Sequence, residues 1–120
     1  RGFAAPELYD HDVKFTSAVD TYAFGATALF LGLRNLPADL TLMPPKPGAA
    51  DYFSAVPFGL AHEIASLLNL CLHPDPSSRP TMRSVRDLLA KHLLHERHRA
   101  LVVFQGNASY LDAARRSVRL

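Results

Sequence analysis

The sequence predicts a mainly α-helical chain, and three stretches of its 120 residues carry that prediction. Residues 17–34, SAVDTYAFGATALFLGLR, are apolar on nearly every face. Leu60, Ile64, Leu67, Leu68 and Cys71 recur at offsets of 4, 7, 8 and 11, which places them on one side of a helix. Val85, Leu88, Leu89 and Leu93 repeat the pattern. With 48% hydrophobic and 20% charged residues, the chain has the material for a packed core rather than a disordered tail.

The first helix starts at Thr16 or Ser17, either of which offers a side-chain oxygen to the open amides of a first turn, and it ends before Asn35 and Pro37. A helix apolar all round belongs in a core, which makes it the expected central pillar. Gly25 and Gly32 lower its intrinsic propensity, so it depends on tertiary packing, and their small size permits neighbouring backbone to approach. Residues 35–57 contain Pro37, Pro44, Pro45, Pro47, Pro57 and Gly48, which break regular structure; a long loop is expected, with one short helix around Ala49 to Ser54. The second helix runs from Leu60 and is terminated by Pro74 and Pro76. Thr81 caps the third, whose polar side holds Arg83, Arg86, Asp87 and Lys91.

Past His95 the character changes. ALVVF, Ala100 to Phe104, reads as a short strand, followed by a turn at Gly106 and Asn107. Tyr110, Leu111, Ala114 and Val118 line one helical face after a cap at Asn107 or Ser109, or else the segment runs extended. Residues 1–90 carry 7 Lys and Arg against 9 Asp and Glu, whereas 91–120 carry 6 against 2, so a slightly acidic body precedes a basic end.

Several classes are disfavoured. Cys71 is the single cysteine, which rules out an internal disulfide or a cysteine-based zinc site and fits a reducing, cytoplasmic setting. The most apolar stretch, Ala18 to Leu33, is short for a membrane span and includes Asp20 and Gly25, so a buried helix is expected and no membrane partner. The chain opens on Arg1 with no signal-peptide pattern, which gives it the look of a piece of something longer.

Three separated motifs then come together in order. GFAAPEL, Gly2 to Leu8, contains the triplet Ala5, Pro6 and Glu7; SAVDTYAFGATALFL places Asp20, Tyr22 and Gly25 in the apolar helix; CLHPDPSSRPTM, Cys71 to Met82, holds Asp75, Pro76, Arg79 and Pro80 in a D-P-x-x-R-P core. Together they resemble the helical C-terminal lobe of eukaryotic-type Ser/Thr protein kinases, from the APE motif onward. The resemblance covers residues 1–94 and leaves 95–120 as a basic extension or the start of a following segment.

That resemblance implies specific roles. Glu7 is expected to pair with Arg79, a structural ion pair tying a loop to a helical base, where two independent surface charges would be the plainer reading of the letters alone. Asp20 is expected to anchor the backbone of a catalytic loop from beneath, unless it merely favours the positive end of its helix. Gly2, Phe3, Ala5 and Pro6 are expected to shape the floor of a protein-substrate site, and the Gly2-Phe3 pair resembles Ser/Thr kinases more than tyrosine kinases. Phosphoryl transfer needs a Gly-rich phosphate cover, a phosphate-pairing Lys, a catalytic Asp and metal-binding Asn and Asp residues, and none of those motifs occurs here. No catalytic or metal residue is therefore assigned; ATP and magnesium belong to the parent kinase.

Other constellations have simpler explanations. His92, His95 and His98 are spaced by three but lack the HExxH order, so surface histidines near a helix end are expected rather than a metal site. Arg97, Arg99, Arg115, Arg116 and Arg119 come with few aromatics and no nucleic-acid motif, and a solvated face without nucleic acid is expected. Asn107-Ala108-Ser109 reads as a turn, and Ser84 and Ser117 have no base and orienting residue in pattern.

The functional expectation is a C-lobe fragment, inert alone, whose parent transfers the ATP γ-phosphoryl group to protein Ser or Thr. The alternative is a non-catalytic scaffold or dimerisation module derived from a pseudokinase. In either case the partners are the missing N-lobe and catalytic loop, or a second copy meeting the exposed face.

Overall fold

The computed structural model describes residues 2–57, 59–95, 97, 98 and 101. Among these the regular structure is entirely helical, as the periodicity predicts. The chain divides into two compact units, Arg1–Arg86 and Asp87–Leu120.

In the first unit, helix α1 spans Ala18–Leu33 and helix α2 spans His62–Cys71, with short 3-10 turns at Pro6–Tyr9, Ala38–Leu40, Phe53–Ala55 and Pro76–Ser78. Thr16 supplies the capping oxygen of α1, accepting from the Ala18 amide at 3.2 Å, while Ser17 holds the N-cap position without a side-chain bond. At the other end Arg34 takes a left-handed conformation and closes the helix by donating its amide to the Phe30 carbonyl at 2.7 Å.

The core lies between α1 and the elements that follow it. Tyr22, Ala26 and Leu29 of α1 are fully buried with Leu40, Tyr52, Phe53, Val56, Leu68 and Leu72. A methyl group at Gly25 would sit 2.7 Å from the Cys71 Cβ and 3.3 Å from Leu72, so the missing side chain is what lets α1 lie directly on the end of α2. Gly32 makes the same room for Val56, whose methyls lie 3.0 and 3.1 Å from where a Cβ would be. Burying Leu29 contributes about 1.5–3 kcal/mol.

Four expectations need correction. α1 is not buried all round: Thr21, Tyr22, Gly25, Ala26, Leu29 and Gly32 face inward, while Phe30 and Leu31 are exposed, Leu31 by 63%. The reason is that the buried core of this unit lies along the Tyr22, Ala26 and Leu29 side of the helix, while on the far side Phe30 is covered only in part, by Phe3. α2 begins at His62 because Leu60 joins the core from non-helical chain, which shortens the predicted stripe by its first member. The loop over 35–57 holds two 3-10 turns, and the helical residues Phe53–Ala55 fall at the end of the segment where one short helix was expected. Leu101 is helical, not extended; the rest of the expected 100–104 strand and the 107–118 segment lie outside the described residues.

A third helix, α3, covers residues 82–95. Its start conforms to the predicted cap, with the Thr81 hydroxyl accepting from the Ser84 amide at 3.1 Å. Val85 is buried in the first unit. In the second unit Leu88 and Leu89 are half-buried, whereas Leu93 is 70% exposed, so the last member of the predicted stripe does not enter a core among the described residues. Among the described residues no helix is long and apolar enough to cross a membrane.

Candidate functional site

The residues singled out by the motifs converge on one buried ion pair. On one side the chain enters through Gly2, whose φ of 86° is one that residues with a side chain rarely adopt, and where a Cβ would also crowd the Leu40 carbonyl oxygen at 3.3 Å. Phe3 packs edge to face on Phe30, ring centres 5.7 Å apart. Ala5 is fully buried. Pro6 opens the 3-10 turn, where a missing amide hydrogen costs nothing, and Glu7 follows in that turn.

On the other side, α2 stops at Cys71 and the chain turns through residues 73–79. Asp75 builds that turn: its Oδ1 accepts from the Ser77 amide at 3.0 Å and the Ser77 hydroxyl at 2.8 Å. Those bonds hold its carboxyl below the usual aspartate range. The turn delivers Arg79 beneath the first turn of α1.

Arg79 has five N–H donors and every one is used. Nη1 donates to Glu7 Oε1 at 2.6 Å and Nη2 to Glu7 Oε2 at 2.9 Å, a two-pronged pair across 72 positions of sequence. Nη1 also donates to the Ala18 carbonyl at 3.0 Å, Nε to the His73 carbonyl at 2.8 Å, and Nη2 to the Pro74 carbonyl at 3.5 Å. The guanidinium carbon sits 5.0 Å from the centre of the Tyr22 ring, within cation-π range. The Arg79 side chain is 0% exposed and that of Glu7 8%.

The electrostatics follow from this burial. Desolvation alone would raise the Glu7 carboxyl, but the hydrogen bonds and charge of Arg79 outweigh it and hold the group below the usual glutamate range. Burial pushes the Tyr22 phenol up, and its hydroxyl is a buried oxygen with no hydrogen-bond partner among the described residues. Burial also raises the Cys71 thiol to about 11, so it stays protonated and unreactive at neutral pH.

The structure does not bring every motif residue to this point. Asp20 stands exposed in the first turn of α1, and its carboxylate makes no hydrogen bond or ion pair among the described residues. Nor are the histidines gathered: among the described residues no group of three or more His, Cys, Asp or Glu side chains is placed to hold a metal. Arg99, Arg115, Arg116, Arg119 and the Asn107 triplet lie outside the described residues.

Sequence reasoning missed a second polar assembly. Asn69 Oδ1 accepts from the amides of Tyr52 at 2.8 Å and Phe53 at 3.2 Å, and its Nδ2 donates to Asp51 Oδ1 at 2.9 Å. The Tyr52 hydroxyl donates to Asp39 Oδ2 at 2.5 Å and accepts from the amides of Gly48 at 2.9 Å and Ala49 at 3.1 Å. One signal pointed there: an asparagine set between Leu68 and Leu70 on an otherwise apolar helix, a residue type that prefers to bond backbone.

Comparison with known proteins adds an independent finding. The chain is 35% identical over 97 residues to the MDIS1-interacting receptor like kinase 2 of Arabidopsis thaliana, a match covering 70% of this chain and 9% of that protein. The chain is similar to receptor-like protein kinases. A probable leucine-rich repeat receptor-like protein kinase of the same plant is 32% identical over 96 residues, covering 70% of this chain and 8% of its own length. The chain therefore spans less than a tenth of the length of these curated relatives. No protein-family model and no solved structure matches it.

Proposed function

We propose that this chain is the helical base of a protein-kinase catalytic domain, a C-lobe piece from the APE motif onward that positions catalytic parts without supplying them. One observation carries the reading: Ala5-Pro6-Glu7 and the D-P-x-x-R-P core, unremarkable singly, meet through a two-pronged ion pair whose arginine has all its donors occupied. The similarity to receptor-like kinases over 97 residues supports the same reading. In it, Glu7 and Arg79 are structural, Asp20 on the surface of α1 receives the catalytic loop of the parent, and Gly2, Phe3, Ala5 and Pro6 form the floor beneath a protein substrate.

In this reading no residue of the chain is assigned to ATP or magnesium. The phosphate-cradling and metal-binding motifs are absent from its sequence, and no step of phosphoryl transfer is assigned to its side chains. Those cofactors belong to the parent, whose proposed activity is transfer of the γ-phosphoryl group to protein Ser or Thr in the cytoplasm. The test has two parts. The chain incubated with ATP, magnesium and a generic protein substrate is expected to transfer nothing, and transfer would end the idea of an inert base. The coding sequence upstream is expected to hold a Gly-rich loop, HRD and DFG; their absence would refute parentage by an active kinase.

A second reading, a scaffold that self-associates, draws on the apolar groups left in solvent: Phe15 at 56%, Leu31 at 63% and Met43 at 57% exposure. Light scattering on a concentration series is expected to give a mass that rises with concentration. A constant monomer mass at the highest concentration would remove this reading and leave the first intact.

A further inference from the structure

We infer that the groove between the 47–51 loop and α2 docks an extended protein segment carrying an arginine or lysine. The groove has a volume of about 560 Å³, and Ala49, Asp51, Ser66, Asn69, Leu70 and His73 are among the residues lining it. It lies wholly within the first unit, with Arg79 holding the His73 and Pro74 carbonyls at one end, and the proposal uses neither the kinase motifs nor phosphoryl transfer, so it goes beyond the kinase reading.

Three features of the lining define the occupant. Asp51 is fixed through Oδ1, which accepts from Asn69 Nδ2 at 2.9 Å and from the Ser54 amide at 3.1 Å. The Asn69 bond first, then the Ser54 amide with smaller contributions from the Ser54 hydroxyl and the Phe53 amide, lowers its carboxyl, which is anionic at neutral pH. His73 is fixed in one tautomer, because its Nδ1 accepts from the Asp75 amide at 3.0 Å, and the neutral ring must then carry its proton on Nε2. Leu70, 46% exposed, adds an apolar side chain to the same lining.

An acceptor, a donor and an apolar strip match a basic residue within a peptide. The cationic head meets Asp51 Oδ2, the methylene stem covers Leu70, and a backbone carbonyl accepts from His73 Nε2. The field agrees in sign. Residues 47–74, which supply the whole lining, carry Asp51 and Glu63 and no lysine or arginine, a net charge of −2. A small amine would use the carboxylate alone and leave the donor and the strip without a match.

The test uses the full chain labelled with ¹⁵N and the peptide acetyl-Ala-Leu-Arg-Ala-Leu-amide. Saturable amide shifts are expected at Ala49, Asp51, Asn69, Leu70 and His73. Replacing the arginine by neutral, isosteric citrulline is expected to weaken binding about tenfold, and Asp51→Asn, which keeps an oxygen for Asn69 and Ser54, is expected to do the same. Leu70→Ser is expected to weaken both peptides alike. Equal affinity for the citrulline peptide, no effect of Asp51→Asn with the fold intact by circular dichroism, or shifts elsewhere would overturn the proposal. So would spermidine giving the same shifts at equal affinity, since that would reduce the groove to a simple cation site.

Discussion

The chain on either side of α1 is irregular in both directions, yet the two segments are fastened by different physics. Before the helix, residues 2–9 are held by one charge on another, both taken out of water, with Arg79 reaching three further carbonyls. After it, the 38–56 loop is held by neutral amides and one tyrosine hydroxyl, half in solvent, gathered on Asn69 and Asp39. The first clasp is brittle, because losing either half strands a buried charge. The second is graded, because each group released near the surface finds water instead. Charge burial therefore suits a contact that must be all or nothing, and amide bonding suits a loop that borders a groove.

The sharpest way to break this contrast is to remove one keystone from each. Arg79→Ala is expected to cost about 3–5 kcal/mol, since Glu7 is left buried without its partner. Asn69→Ala is expected to cost about 1–3 kcal/mol, in the range for a polar group removed from backbone amides. Urea unfolding of the three proteins measures both. Equal losses would mean that the pair around Arg79 is no more brittle than the amide clasp.

A pH series sharpens the same contrast. Glu7 has its folded pKa depressed by Arg79, so its contribution is fully present above the ordinary glutamate range and is lost as pH falls through the lower folded value. Stability is expected to fall with acid more steeply in the parent protein than in Glu7→Gln, which has no proton to take up at that position. Parallel profiles for the two proteins across the acid range would contradict a charge-based clasp. The Asn69 variant is expected to keep the part of the acid slope that Glu7 sets and to lose only the part that comes from Asp51, whose carboxyl the Asn69 bond lowers.

The two clasps also differ in how legible they were. Glu7 and Arg79 were named from the sequence because each sits in a short motif, and the structure places them in one ion pair. The helices followed from periodicity, and Gly25 signalled a close approach to α1, although its neighbours are the Cys71 and Leu72 side chains where backbone was expected. Asp39, Tyr52 and Asn69 carried no motif; they are 13 to 30 positions apart, and nothing in a linear pattern tells a tyrosine hydroxyl which carboxylate it will meet. Burial was misjudged for Leu31 and Leu93 for a related reason. Composition says that a face is apolar but not whether this unit contains anything to cover it.

Two tyrosines give the finest comparison. The Tyr52 hydroxyl makes three hydrogen bonds, to Asp39, Gly48 and Ala49, and burial together with Asp39 raises its phenol, so it is a neutral donor throughout the physiological range. The Tyr22 hydroxyl has no partner among the described residues, although its ring lies under Arg79. The same deletion of one oxygen should then have opposite consequences. Tyr52→Phe is expected to cost about 1–2 kcal/mol and to speed hydrogen exchange at the Gly48 and Ala49 amides. Tyr22→Phe keeps the ring beneath the guanidinium and removes an unsatisfied buried group, so it is expected to change stability by less than about 0.5 kcal/mol, toward stabilisation. A large loss from Tyr22→Phe would reveal that the buried clasp also depends on that hydroxyl, and its brittleness would then extend beyond the ion pair itself.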